Sequence, residues 1–416
     1  MKEIQIISSK SEIHRYLIGA MLAEIGCGKV PELIYNNESK DVRATEVCVA
    51  EILHAAKNKE DDTEIVLNCG ESGSTLRFLL PIVGALGLDA EFILEGKLGE
   101  RPLEPLVNEL MAHGMTIEWE KEETQRSPYT KVCARGSLES GNYKLAGNVS
   151  SQFISGLLMA LPILQGDSTL RVEGKTESAP YIEMTLAMAG DFGLEIAEDK
   201  ASEGSCLYHI RGNQVYSKGE KWIAGGDWSN GAFFLAAGLI GDEPIKVMGL
   251  DISSTQGDKG IIDYLKAFGG KLDVADDGII AYPSELRGIE IDGSQNPDLV
   301  PVLALIGIAS KGITRITNAK RLRYKESDRL NAIAQVLKTI GGDIEELTDG
   351  LIIRGLACSG ENTVGGRLKG GEVSSQRDHR IAMMATVASL ISEEPVIIKD
   401  RESVNKSYPG FYDIFI

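Results

Sequence analysis

The chain has 416 residues, 43% hydrophobic and 25% charged, and its 61 acidic against 43 basic side chains leave a net charge of −18. That length suggests two domains of about 200 residues each, and that charge excludes a broad nucleic-acid or anionic-membrane surface, so any anion site must be local. Six scattered cysteines without a CxxC read as reduced thiols of a cytoplasmic protein, and with no run of 18 or more apolar residues and no apolar leader in MKEIQIISSKSEIHR, neither a membrane span nor a signal peptide is expected.

The strand EIQII opens the chain and ends near Ser8 and Ser9, where one crossing between domains is expected. A buried helix then starts at Ser11 (SEIHRYLIGAMLA). The same signature, a small polar residue leading into a nearly all-apolar run, recurs at Ser74 (STLRFLLPIVGAL), Ser151 (SQFISGLLMALPIL), Ser229 (SNGAFFLAAGLI), Asp298 (DLVPVLALIGIA) and Asp378 (DHRIAMMATVASLI). The intervals of 63, 77, 78, 69 and 80 positions mark an internal repeat. Ser and Asp satisfy the orphan N–H groups of a helix start, and a helix that is apolar nearly all round must lie inside a domain. Between these starts an amphipathic helix, a glycine stop and a strand recur. They read as VCVAEILHAAKN with EIVLN, then PLVNELMAHGMTIEWE, YIEMTLAMAGDFGLEIA, GIIDYLKAFGGKLDVA and LNAIAQVLKTIGGDIEEL, with Gly114, Gly193, Gly269 and Gly341 as helix C-caps. Three repeats fall on each side of about residue 225, where Gly225 and Gly226 suit a flexible second crossing.

Converging helix starts present free N–H groups and positive dipole ends, which is an anion site. Cations stand beside them: Lys10, Arg15, Arg77, Arg101 in GERP, Lys325 and Arg329 in RLRYKESDR, His379 with Arg380, and Lys406 in NKSYPG. On a helix Lys325 and Arg329 would share one face, with Glu326 turned to a neighbouring direction. Ser150, Ser151, Gln152, Ser178 and Tyr181 add hydroxyls and an amide. Asp298 is either a helix N-cap or, ionised among cations, a general base. Helix starts facing a cleft between two domains would make closure the way to enclose a ligand. There is no Walker A sequence, no GxGxxG and no metal spacing among the five histidines, so neither cofactor nor metal is expected.

In this order SKSEIHR, CGESGSTLRF, GERPLEPLV, GNVSSQF, APYIEMTL, GGDWSNGAFFLAA, TQGD, NPD, YKESDRL, QRDHRIAM and NKSYPGF resemble the 5-enolpyruvylshikimate-3-phosphate synthases along the whole chain. The resemblance implies an α/β fold of two domains, residues 10–224 and residues 1–9 with 225–416, each an inside-out α/β prism of three βαβαββ repeats. It implies a cytoplasmic monomer that moves the enolpyruvyl group of phosphoenolpyruvate to the 5-hydroxyl of shikimate 3-phosphate and releases phosphate, without a cofactor. It assigns Lys10, Ser11, Arg15, Ser150, Ser151, Gln152, Ser178, Asp298 and Lys325 to shikimate 3-phosphate, and Lys10, Gly73, Arg101, Gln152, Arg329, Arg380 and Lys406 to phosphoenolpyruvate. Asp298, Glu326 and Lys10 become the proton-transfer groups. The family is often sensitive to glyphosate, a phosphonate-carboxylate anion, and Gly73 leaves it room. Three places depart from the pattern: Ile-Ile-Ser stands before SKS where a Pro-Gly or Pro-Pro type turn is usual, Glu71 stands where many members have Asn, and Arg321 where some have an Asn that contacts the shikimate. A UDP-N-acetylglucosamine enolpyruvyl transferase would share fold and donor, but that family places a reactive cysteine before its RP motif and GKLGERP has none. A non-catalytic anion-binding relative is disfavoured by the intact Lys10, Asp298 and Glu326.

Overall fold

The computed structural model describes residues 1–58, 64–122, 129–200, 204–217, 219–275, 277–356 and 367–415. The chain opens on strand β1 (Lys2–Gln5) and continues through α1 (Lys10–Cys27), β2 (Glu32–Ile34) and α2 (Lys40–Asn58). A first full repeat follows as β3 (Ile65–Gly70), α3 (Gly73–Leu86), β4 (Ala90–Leu94), α4 (Glu104–Ala112), β5 (Thr116–Glu122) and β6 (Tyr129–Arg135). The second is β7 (Asn142–Ala146), α5 (Ser151–Ala160), β8 (Ser168–Glu173), α6 (Ala179–Asp191), β9 (Ile196–Lys200) and β10 (Cys206–Ile210), after which comes β11 (Lys221–Ile223). The rest of the chain is α7 (Trp228–Ile240), β12 (Ile245–Met248), α8 (Ile261–Ala267), β13 (Lys271–Ala275) and β14 (Gly278–Tyr282), then β15 (Glu290–Asp292), α9 (Val300–Ala309), β16 (Ile313–Thr317), α10 (Arg329–Thr339), β17 (Asp343–Glu346) and β18 (Leu351–Arg354), then β19 (Gly371–Val373), α11 (His379–Ala388) and β20 (Val396–Ile398). Contacts divide the chain into two compact units, residues 10–224 and residues 1–9 with 225–416.

Four repeats close into the same four-stranded sheet, with strand orders β3-β4-β6-β5, β7-β8-β10-β9, β1-β12-β14-β13 and β15-β16-β18-β17. In each the first pair is parallel across its buried helix and the rest is antiparallel. The remaining repeat of each unit has, among the described residues, only a parallel pair, β11-β2 or β19-β20. Two strands are supplied from a distance in sequence. β1 pairs with β12 (Ile4↔Val247), so residues 225–416 complete a repeat with a strand from before the first crossing, while β11 pairs with β2 (Trp222↔Leu33) from the opposite end of residues 10–224.

Helices lie inside and sheets outside, and hydrophobic pattern is the cause. In α9 nine of ten residues are buried, in α7 twelve of 13 and in α11 all ten, and these three pack against one another. Strands such as β4 and β12 alternate buried and half-buried residues, as a sheet with one face on the core must. Each unit has its own apolar core. In residues 10–224 the close approach of α3 and α5 depends on Gly156, where a Cβ would stand 2.4 Å from the Arg77 carbonyl oxygen. Gly114, Gly193, Gly269 and Gly341 all take positive φ just past their helices, where the left-handed cap excludes most side chains. Gly226, at the second crossing, is also closely packed. Ser8 bridges to it, and a Cβ there would stand 2.4 Å from the Gly249 oxygen and from Ile6 Cγ2, so its smallness answers to packing.

Candidate active site

The expected helix starts are present, but several are capped by a different residue from the one the spacing suggests. Ser72 caps α3 in place of Ser74, Ser150 caps α5 and Asp227 caps α7 in place of Ser229, while Asp378 caps α11 as expected. Asp298 makes no capping bond; it lies in a 3-10 turn (Pro297–Leu299) ahead of α9. Three non-glycine residues with positive φ sit just before site helices: Ser178 (55°) at the start of α6, and Gln376 (52°) and Arg377 (59°) before α11. Each costs about 1–2 kcal/mol, and strain of this kind is retained where the backbone must present a particular face.

Residues 10–224 gather the first set of groups. Gly73 opens α3, and a Cβ on it would meet Arg101 Nη1 and Arg77 Nη1, each at 3.0 Å. Two guanidiniums thus share one helix N-terminus, an arrangement that calls for an anion. Arg77 donates to Gln152 Oε1 (2.7 Å) and to the Pro102 carbonyl (3.3 Å), and Gln152 Nε2 donates to Ser74 Oγ (2.8 Å). The α5 start is thereby fastened to α3, with Ser150 Oγ accepting from the Gln152 amide. Lys10, at the start of α1, pairs with Asp41 at 2.7 Å, both nearly buried. Arg15 is buried over the Phe78 ring. Its guanidinium donates to Thr185 Oγ1 (2.8 Å), the Ser11 carbonyl (2.6 Å), the Tyr181 carbonyl (2.8 Å) and Ser155 Oγ (3.5 Å). Four of its five N–H groups are so engaged, so this arginine chiefly ties α1 to α6 and has one donor left for a ligand. Ser11, Ser151 and Ser178 stand at the starts of α1, α5 and α6. Glu71 lies over the loop that leads to Arg101, its Oε1 2.5 Å from where a Cβ of Gly96 would be.

The other unit holds the second set, centred on Asp298. Its carboxylate meets Arg329 Nη1 at 2.6 Å, Lys325 Nζ at 3.5 Å and Arg380 Nη2 at 3.9 Å. Arg329 is buried and also donates to Glu326 (2.8 Å) and, through Nε and Nη2, to Asp378 (2.8 and 3.3 Å). Asp378 further accepts from Ser327 Oγ (3.0 Å) and the Arg380 amide (2.9 Å). Arg380 Nη1 donates to Asn230 Oδ1 (2.8 Å), its plane lies over Phe233, and its Nε has no hydrogen-bond partner among the described residues. Lys406 is buried at the end of a turn (Arg401–Lys406) that packs on α11.

The shared helical face expected for Lys325 and Arg329 is not what joins them. Lys325 is extended, Asp328 is the N-cap and α10 begins at Arg329, so the two cations meet at Asp298 by tertiary folding. Burial pushes the Asp298 carboxyl up, but Lys325, Arg329 and Arg380 outweigh it and hold it well below the usual carboxylate range. Burial lowers the Lys325 ammonium to about 8, against the pull of Asp298 and Glu326. Arg329 keeps its charge because Asp378, Glu326 and Asp298 more than offset its desolvation. Sequence reasoning missed Asp41, Asn230 and Asp378 as partners of Lys10, Arg380 and Arg329; Asp378 was visible only as a helix start. Among the described residues no group of three His, Cys, Asp or Glu could hold a metal ion, and no helix is long and apolar enough to cross a membrane.

The profile of the EPSP synthase (3-phosphoshikimate 1-carboxyvinyltransferase) family matches residues 1–415. The 3-phosphoshikimate 1-carboxyvinyltransferases of Clostridium novyi (strain NT) and Clostridium acetobutylicum are 40% and 41% identical to the chain, each alignment covering 99% of it and 94% or 93% of the relative. The solved EPSP synthase of Acinetobacter baumannii superposes with a TM-score of 0.71 at 23% identity, over 99% of this chain and 94% of that one. The enolpyruvyl transferase NikO from Streptomyces tendae superposes with a TM-score of 0.73 at 17% identity, covering 100% and 94%. The two structures speak for the fold; the full-length match and relatives at 40% identity show that this chain belongs to the EPSP synthase family.

Proposed function

We infer that the two sets of groups serve one reaction, the addition of the 5-hydroxyl of shikimate 3-phosphate to phosphoenolpyruvate followed by loss of phosphate. The chain is a 3-phosphoshikimate 1-carboxyvinyltransferase by family, and the observation that carries the assignment of roles is the Asp298 carboxylate held among Lys325, Arg329 and Arg380. Asp298 accepts the proton of the 5-hydroxyl as that oxygen bonds to C2 of phosphoenolpyruvate. Glu326 or Lys10 delivers a proton to C3, giving a tetrahedral intermediate. Removal of a C3 proton then expels phosphate and regenerates the enol ether. Guanidiniums match the planar carboxylate and phosphate oxygens of the donor, which suits Arg101, with Arg77 beside it, and Arg329 and Arg380. Lys406, Lys10, Gly73 and Gln152 complete the donor's ligands in this reading. Lys10, Ser11, Ser150, Ser151, Gln152, Ser178, Asp298 and Lys325 take the acceptor, with the remaining N–H of Arg15.

The test is phosphate release with each substrate alone and both together, with and without EDTA, and with UDP-N-acetylglucosamine replacing shikimate 3-phosphate. Release is expected only with both substrates and is unaffected by EDTA. Turnover of the nucleotide sugar, or loss on chelation restored by a divalent ion, would overturn this reading.

A further inference from the structure

One buried carboxylate beside the Asp298 cluster has no part in the roles above. Asp258 lies in a 3-10 turn (Gly257–Gly260) and is 2% exposed. The turn is held in place by Gln256, whose side chain accepts from the Trp228 amide (3.1 Å) and donates to the Gly226 carbonyl (2.9 Å). Asp258 accepts from Ser229 Oγ, in the first turn of α7, and from Asn296 Nδ2 (3.4 Å). Asn296 also donates to the Gly257 carbonyl (2.8 Å), and its own carbonyl accepts from the Leu299 amide (3.1 Å), closing the turn that carries Asp298. A single asparagine therefore joins the Asp258 turn to the Asp298 turn.

The reaction needs more from Asp298 than its surroundings favour. A carboxylate stabilised by three cations is a weak base, whereas efficient proton removal wants a base closer to the working pH. We propose that Asp258 is a positioning residue for this step: its negative charge, fixed on the Asn296 bridge, opposes the cations on Asp298 and restores the basicity that deprotonating the acceptor hydroxyl requires. The proposal rests on the reading of Asp298 as the base. Burial and the charge of Asp298 push Asp258 up to about 6, while Ser229, Arg380 and Asn296 pull it down. Tyr264 on α8 also faces Asp258, and Asp298 itself faces Lys325, Arg329, Arg380 and Glu326. Two interacting carboxyls titrate as a pair, so the charge that tunes Asp298 is switched on as pH rises through about 6.

The experiment is kcat against pH, from about 5 to about 8, for the wild-type protein, Asp258→Asn, Ser229→Ala and Asp298→Asn at saturating substrates. The substrates' phosphates titrate near pH 6 as well, but identically for every variant, so differences between profiles report on Asp258. Wild-type kcat is expected to rise through about pH 6. Asp258→Asn should flatten that rise and lower kcat at the alkaline end by about three- to tenfold, because a carboxylate left to its cations alone takes up the proton less readily. Ser229→Ala removes a bond that stabilises the Asp258 anion, so its rise should move to higher pH. A wild-type profile in Asp258→Asn, or an unmoved rise in Ser229→Ala, overturns the proposal. If Asp258→Asn does not fold, the Ser229→Ala shift decides alone. Normal turnover by Asp298→Asn would instead sink the assignment of the base, which separates the two failures.

Discussion

Replacing Gly73 by alanine tests the donor site with one methyl group. The new Cβ would stand 3.0 Å from Arg101 Nη1 and 3.0 Å from Arg77 Nη1, closer than ordinary van der Waals contact. Both atoms end long side chains, so the guanidiniums can retreat by a few tenths of an ångström and the fold survives. The retreat is not local, because Arg77 is bonded to Gln152 Oε1 at 2.7 Å and Gln152 to Ser74 Oγ at 2.8 Å. A hydrogen bond to a charged group contributes about 1.5–3 kcal/mol, and weakening one at each of the two guanidiniums by about half costs about 1.5–3 kcal/mol, or about twelve- to 150-fold in donor affinity. The assay is phosphate release against phosphoenolpyruvate concentration at saturating shikimate 3-phosphate, with glyphosate titrated in parallel and a thermal melt of each protein. KM for phosphoenolpyruvate should rise at least about tenfold, with kcat changed less and Tm unchanged. Glyphosate should lose affinity too. An unaltered KM in a folded variant would refute the placing of the donor at Gly73.

Gly156→Ala meets backbone, since its Cβ would stand 2.4 Å from the Arg77 carbonyl oxygen; forcing α3 and α5 apart should cost about 1–3 kcal/mol, and a melt that does not move would contradict the packing argument. Asp378→Asn keeps the cap of α11 but removes one of three carboxylates around Arg329. We expect about 3 kcal/mol of destabilisation by urea unfolding, the low end for breaking a buried pair because Asp298 and Glu326 remain; less than about 1 kcal/mol would count against it. Lys325, lowered to about 8, is charged below that pH and neutral above it, so kcat/KM for shikimate 3-phosphate should fall on the alkaline side of about 8. Lys325→Arg, which stays protonated, should carry the fall to higher pH; superimposable profiles would remove Lys325 from the acceptor site.

Local chemistry alone determined the repeat. Small polar caps before all-apolar runs can only be buried helices, and glycines after amphipathic runs can only be left-handed stops, so α1, α3, α5, α7, α9 and α11 and the ends at Gly114, Gly193, Gly269 and Gly341 were legible without coordinates. The family's motifs added the candidate ligands. What periodicity could not carry is which distant groups meet. That Arg77 and Arg101 converge on Gly73, that Lys325 reaches Asp298 from an extended residue rather than a helical face, and that Asp378 joins Glu326 on Arg329 all depend on contacts between groups far apart in sequence, the last of them between separate repeats. The same holds for β1 and β11, which complete sheets with strands more than 180 positions away. A hydrophobic pattern records which face of an element is buried and not what it is buried against; long-range strand pairing and ion pairs between loops are decided only when the helices pack and their ends are brought together.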